Sequence, residues 1–259
     1  MTGNSNGARK ITNRDRVLLA QLRVAKVIDR ELAKDIAGFH STTRANDRLL
    51  RLCRAGLLIH FFVNTRAGGR KALYALSPKG AREVQIQSRL VQRKRGSLLV
   101  GDLFIEHQLA VNSIWVQVTH RPIPVPDVAC VRWISLPTVL SKSIPLMPDG
   151  YFELKHPSGI SPMFCEVDRG TETLKVWDQK ISHYLQLAVG EDFQRLFGHN
   201  RFRVLVAASS ERRLQNLRRQ TLKHTDKIFW FANLSDINQR GLFANIWLRP
   251  NGTERLTLL

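Results

Sequence analysis

Hydrophobic and polar positions repeat with two different periods along this chain, and the change of period organises it. Between Arg14 and Ala25 the apolar positions Val17, Leu18 and Leu22 return on one helical face. Asp29 is placed to cap a second helix over Glu31 to Ala37. Ser41 can cap a third that runs to Ala55, with Gly56 as its stop. In the third helix Ala45, Leu49 and Leu52 make the apolar stripe, while Arg44, Arg48 and Arg51 make a basic one beside it. The pattern then becomes that of strands. Leu57 to Val63 and Ala72 to Leu76 read as the arms of a hairpin with a glycine- and arginine-bearing tip, and Ser77-Pro78 opens another helix.

Further on, Asp102 to Val118 is amphipathic, with Leu103, His107, Val111, Ile114 and Val118 along one stripe. Val131 to Ser135 is a strand candidate, followed by a proline-bearing loop. Two short apolar runs flank a turn at His156 to Pro162 and suggest a second hairpin. A helix over Glu172 to Val189 should turn Leu174, Ile181, Leu185 and Ala188 to the sheet. Strands at Phe202 to Ser209, Lys227 to Ala232 and Leu242 to Leu248, with a basic helix over Glu211 to His224, complete a mixed α/β sheet covered on both faces.

Three helices and a hairpin are the order of a winged helix-turn-helix. The expected division is a disordered basic tail (1–11), a winged helix-turn-helix (12–83), a basic connector (84–101) and an α/β domain (102–259). Charge sharpens this. Residues 1–101 hold 21 Lys/Arg against 6 Asp/Glu, and the remainder 19 against 15, within a net charge of +19. Such an excess favours a polyanion, and with the arginine face of the third helix it points to double-stranded DNA, the plain alternative being a solvated basic face on a winged-helix protein–protein module. Ser41, Thr42, Arg44, Arg48 and Arg51 would meet the major groove, and Arg66, Arg70 and Lys71 the neighbouring backbone. The N-terminus lacks a signal-peptide core, and no apolar run approaches the ~20 residues of a membrane span. A soluble, cytoplasmic protein with no membrane partner is expected. The three cysteines are scattered, without zinc spacing.

The candidate chemistry lies between Met147 and Glu172. Glu166 and Asp168 are two apart on a strand and share a face, and hairpin pairing would bring Asp149 to the same edge. Three converging carboxylates need a hard cation, which favours Mg²⁺, with Mn²⁺ as substitute. Alternating acids on a surface strand are the plain alternative. His107 is either a core histidine or a neighbour of the carboxylates, and Lys180 and Tyr184 are i, i+4 neighbours at the edge of their helix. No P-loop, Gly-x-Ser-x-Gly or His-Glu-x-x-His is present.

Taken together, these pieces resemble the replication-relaxation family of bacterial plasmids and integrative elements. The resemblance rests on Leu49-Leu50-Arg51-Leu52 with Gly56-Leu57-Leu58, on His107 to Asn112, on Pro148-Asp149-Gly150, and on Glu166 to Glu172 followed by Lys180 and Tyr184. It implies a role in replication, relaxation or mobilisation, with replication or conjugation proteins as partners. The second half also resembles the restriction-endonuclease-like fold, whose signature is Pro-Asp followed by Asp/Glu-x-Lys. That likeness implies a nuclease or nickase with Asp149, Glu166 and Asp168 at the metal. Asp168 occupies the position of the signature lysine, so Lys180, or secondarily Lys175, would supply the cation. A non-catalytic DNA-binding accessory is the alternative, as is a transcriptional regulator whose second domain senses or dimerises, which puts a homodimer among the expected partners.

Overall fold

A computed structural model describes residues 11–64, 68–85 and 98–259. The expected tail (apart from Ile11), Arg66 and most of the expected connector lie outside them. Packing divides the chain into two units, with the division between Leu109 and Ala110.

The first unit begins with α1 (Asn13–Ala25), α2 (Arg30–Ala37) and α3 (Thr42–Arg54). Each starts where a side-chain oxygen can satisfy an otherwise orphaned amide. Thr12 and Asp15 cap α1 reciprocally, Asp29 accepts from the Leu32 amide at 2.8 Å, and Ser41 accepts from the Arg44 amide at 3.3 Å. Gly38, at φ +61°, ends α2 in the left-handed region that glycine enters without strain. α3 buries Ala45, Leu49 and Leu52 as their spacing predicts. α1 differs from expectation: Leu18, Leu19, Leu22 and Ala25 are buried, whereas Val17 is 47% exposed. Leu19 and Ala25 extend the stripe to one side and leave Val17 at its outer edge.

Strands β1 (Leu58–Asn64) and β2 (Arg70–Leu76) pair antiparallel, from Leu58 opposite Leu76 to Asn64 opposite Arg70. α4 (Pro78–Glu83) follows its cap Ser77. Val63 and Leu73 pack with Val27 and with Ile105 of α5 (Leu98–Thr119), so the early part of that helix contributes to the first core.

The second unit is built on one sheet, in the order β3 (Ala129–Ile134), β4 (Gly150–His156), β5 (Gly159–Asp168), β6 (Arg203–Ala208), β7 (Phe229–Asn233). The first three run antiparallel, and β5, β6 and β7 run parallel. Because side chains alternate across a sheet, each strand feeds two apolar layers. Phe152, Met163, Cys165, Leu205 and Trp230 join Val111, Ile114 and Val118 of α5 in one. Tyr151, Phe164, Val204 and Phe229 meet α6 (Leu174–Val189), α7 (Asp192–Phe197) and α8 (Glu211–Leu222) in the other.

Two expectations are corrected here. α6 buries Trp177, Ile181, Tyr184 and Leu187, while Leu174 is exposed. Ile181 is buried and Leu185 and Ala188 pack against the core as expected, but the aromatic residues, which carry the larger apolar area, draw the centre of the face toward Trp177 and Tyr184. The run from Leu242 to Leu248 is not a strand of the sheet. It follows α9 (Leu234–Arg240) as irregular buried chain, with single bridges at Phe231–Leu248 and Trp247–Leu256. Among the described residues no helix is long and apolar enough to cross a membrane.

Candidate active site

The site forms at the end of β5, where the sheet face that carries Phe164 also carries Glu166 and Asp168. The hairpin with β4 sets Gly150 opposite Cys165, which brings Asp149 to the same end. Its Oδ2 accepts the Val167 amide at 2.7 Å. Gly150 is required on steric grounds, since a Cβ there would lie 2.8 Å from the ring of Trp133.

Glu166 is 2% exposed. Its Oε2 accepts from Lys180 Nζ at 3.0 Å, and its Oε1 accepts from the Tyr184 hydroxyl at 2.6 Å. Lys180 also reaches Glu172 at 3.0 Å. Burial is the main influence on Glu166 and disfavours its charged form. Lys180 and Tyr184 work against burial, Asp149 works with it, and the result is a pKa pushed up to about 7. For Lys180, burial pulls downward, but the carboxylates of Glu166, Glu172 and Asp149 outweigh it and raise its pKa. Lys180 is therefore a fixed cation and not a proton acceptor. Burial and the adjacent carboxylates likewise hold the Tyr184 hydroxyl in its protonated, donating form.

Asp168 is placed differently. Arg213 of α8 grips it with Nε on Oδ1 and Nη2 on Oδ2, both at 2.7 Å, and donates again to the Glu172 carbonyl at 2.7 Å. The Gly170 amide completes the set at 2.7 Å. Both oxygens are engaged in a bidentate fork, the strong geometry for an arginine–carboxylate pair. Arg213 was not anticipated from the sequence, and Glu172, which closes the motif that begins at Glu166, was not expected to pair with Lys180. Nothing in the run Arg212-Arg213 distinguishes the arginine that turns inward, although Ser210, the cap of α8, fixes where that helix begins.

The expected carboxylates thus separate into two arrangements. Among the described residues, no three His, Cys, Asp or Glu side chains form a group able to hold a metal ion. Mg²⁺ is commonly held by one or two carboxylates, with waters filling its octahedron. Asp149 and Glu166 meet that lesser requirement with hard oxygen donors, while Asp168 is occupied by Arg213. His107 is half-buried on α5 and belongs to the first unit, whereas Asp149 and Glu166 belong to the second. Lys175 is exposed near the start of α6.

In the first unit the candidate DNA-contacting residues also divide. Arg44 and Arg51 are exposed on α3, and Ser41 and Thr42 stand at its start. Arg48, expected on the same basic stripe, turns back to the buried Asp15 and binds both its carboxylate oxygens. Burial would raise the Asp15 pKa, but hydrogen bonds from Arg48 and Thr12 prevail and hold it low. Lys71 pairs with Asp29, the cap of α2, and Arg70 lies over the Phe62 ring at 5.0 Å. Arg66 lies outside the described residues.

Comparison with known proteins gives one finding. The sequence model described as replication-relaxation matches residues 19–201. No curated protein and no solved structure matches the chain.

Proposed function

The chain belongs to the replication-relaxation family, and on that premise we propose that it binds DNA and cuts it in a Mg²⁺-dependent reaction during plasmid or mobile-element replication or mobilisation. In this reading the first unit is a winged helix-turn-helix that docks on duplex DNA with α3. The second is a restriction-endonuclease-like domain that nicks or cleaves the phosphodiester backbone. The observation that carries it is Lys180 Nζ at 3.0 Å from Glu166 Oε2. A lysine brought from the following helix supplies the cation where the strand itself offers Asp168. The sheet order, an antiparallel hairpin continued by parallel strands, supports the same fold.

Asp149 and Glu166 would hold the ion, which when bound polarises a phosphate oxygen and lowers the pKa of its water. Lys180, kept charged by its carboxylate neighbours, offsets the negative charge that builds on the phosphate in the transition state. Tyr184 fixes the Glu166 carboxylate by donating to Oε1. Asp168 and Arg213 tie the end of β5 to α8 and to the chain ahead of α6.

The test is conversion of supercoiled plasmid to nicked or linear form in Mg²⁺ or Mn²⁺. Wild type should cut, and EDTA, Asp149→Asn or Lys180→Met should each abolish cutting while DNA binding is retained. A second reading, a DNA-binding accessory without catalysis, is favoured by one observation: both oxygens of the buried Glu166 already accept hydrogen bonds inside the protein. Tight binding with no cleavage of any plasmid or oligonucleotide substrate would select that reading.

A further inference from the structure

The face of the first unit's hairpin that carries the even-numbered residues of β1 changes character along its length. At the base Leu58, Tyr74 and Leu76 are buried. Farther out the same face presents His60, Phe62 and Arg70. These residues share a side because positions two apart on a strand do so, and because Asn64 stands opposite Arg70 and Phe62 opposite Ala72. Phe62 is 41% exposed, His60 meets it edge-on with ring centroids 5.9 Å apart, and Arg70 is exposed above its ring. The opposite face of the hairpin is already used, with Val63 and Leu73 buried against Val27 and Ile105.

We propose that the outer hairpin face of Phe62, His60 and Arg70 is a binding site for unpaired nucleobases of DNA, distinct from the duplex contact assigned to α3. Three observations support this occupant. A ring left nearly half open on a strand is a stacking platform, and aromatic and guanidinium planes are the groups on which splayed bases rest. Arg70 already lies over the ring and, being exposed, can turn to a phosphate of the same nucleotide. The segment containing the hairpin carries the +15 excess given by its 21 basic and 6 acidic residues, which complements a polyanion and disfavours an apolar or basic partner. Such a site would give the protein a hold on DNA that is locally opened, as next to a nick or a melted duplex. The inference rests on the DNA-binding part of the reading above and not on cleavage.

The experiment uses the full chain and three fluorescent DNA probes of equal length: a paired duplex, the same duplex with a central unpaired bubble, and an oligothymidylate. Fluorescence anisotropy at fixed salt should show the bubble binding more tightly than the duplex. Phe62→Ala should weaken oligothymidylate and bubble binding about tenfold, as expected for loss of one stacked base. Its duplex affinity should change less than about twofold, and its thermal midpoint should match wild type. Phe62→Leu should lose as much as alanine, whereas Phe62→Trp should keep the affinity and show indole emission quenched by the oligothymidylate. Equal losses on duplex and single strand, full retention by leucine, or no effect of alanine would each overturn the stacking site while leaving duplex binding by α3 intact. Failure to bind any of the three probes would overturn it together with the DNA-binding reading.

Discussion

Glu166 and Asp168 stand two residues apart on one strand and one face, yet their surroundings differ in kind. Asp168 has a rigid planar partner that takes both oxygens, plus a backbone amide. Glu166 has an ammonium and a hydroxyl, one on each oxygen, and a second carboxylate close enough to raise its pKa. A bidentate arginine leaves a carboxylate little to offer another cation. A lysine and a tyrosine each contribute one directed bond and leave lone pairs on both oxygens. Position on the strand made the two acids equal, and the helices packed above them gave one a bidentate arginine and the other a lysine and a tyrosine.

Cleavage gives the largest contrast. Glu166→Gln should lower Mg²⁺-dependent nicking by about a thousandfold or more, as for loss of a group acting on transition-state charge. Asp168→Asn should lower it far less. Equal losses, measured as initial rates on supercoiled plasmid, would erase the distinction between the two acids.

Stability should show the reverse order. Arg213→Met strands a buried carboxylate and should cost about 3–5 kcal/mol in urea unfolding. Lys180→Met should cost less, because Glu166, with a pKa already near 7, can take up a proton when its cation is removed. A larger loss at Lys180 than at Arg213 would contradict the assignment.

The first unit offers a parallel pair. Arg48→Ala leaves the buried Asp15 carboxylate without its cation and should destabilise by about 3 kcal/mol. Arg44→Ala should stay within about 0.5 kcal/mol of wild type while weakening duplex binding by about 1–3 kcal/mol. The Asp15 pKa is lowered in the folded state, so its contribution is present above the ordinary value of 3.8 and is lost as pH falls through the lowered one. Arg48→Ala should therefore flatten the acid limb of the stability curve, which thermal unfolding between pH 2 and 5 would reveal.

The smallest effect belongs to Tyr184→Phe. It removes one donor from Glu166 and should cost about 1 kcal/mol. A loss as large as that of Arg213→Met would mean that the hydroxyl, and not the lysine, is the principal support of Glu166.

Local chemistry was legible in the sequence wherever it depended on near neighbours. Asp29 and Ser41 announced their helices because a cap and its amide lie three residues apart. Lys180 and Tyr184 could be paired because helical geometry places them one turn apart, and the hairpin carrying Asp149 and Glu166 followed from its turn. What could not be read depended on distance. Arg48 meets Asp15 across 33 positions, and Arg213 meets Asp168 across 45, with other arginines nearby that were equally eligible. The rotated face of α6 was hidden for another reason: Trp177 and Tyr184 carry polar atoms, and only the packed structure provides Thr221 and Glu166 to satisfy them.

Trp133 lying against Gly150 has a consequence for how this chain can vary. Gly150 is not among the glycines with positive φ, so its backbone would accept other residues, and a Cβ there would require the neighbouring indole to shift. In a saturation library at position 150, glycine should survive almost alone. In the same library built on Trp133→Ala, alanine and serine should return. The two positions would then form a single unit of inheritance, with the small residue beside Asp149 conditional on the large one across the strand.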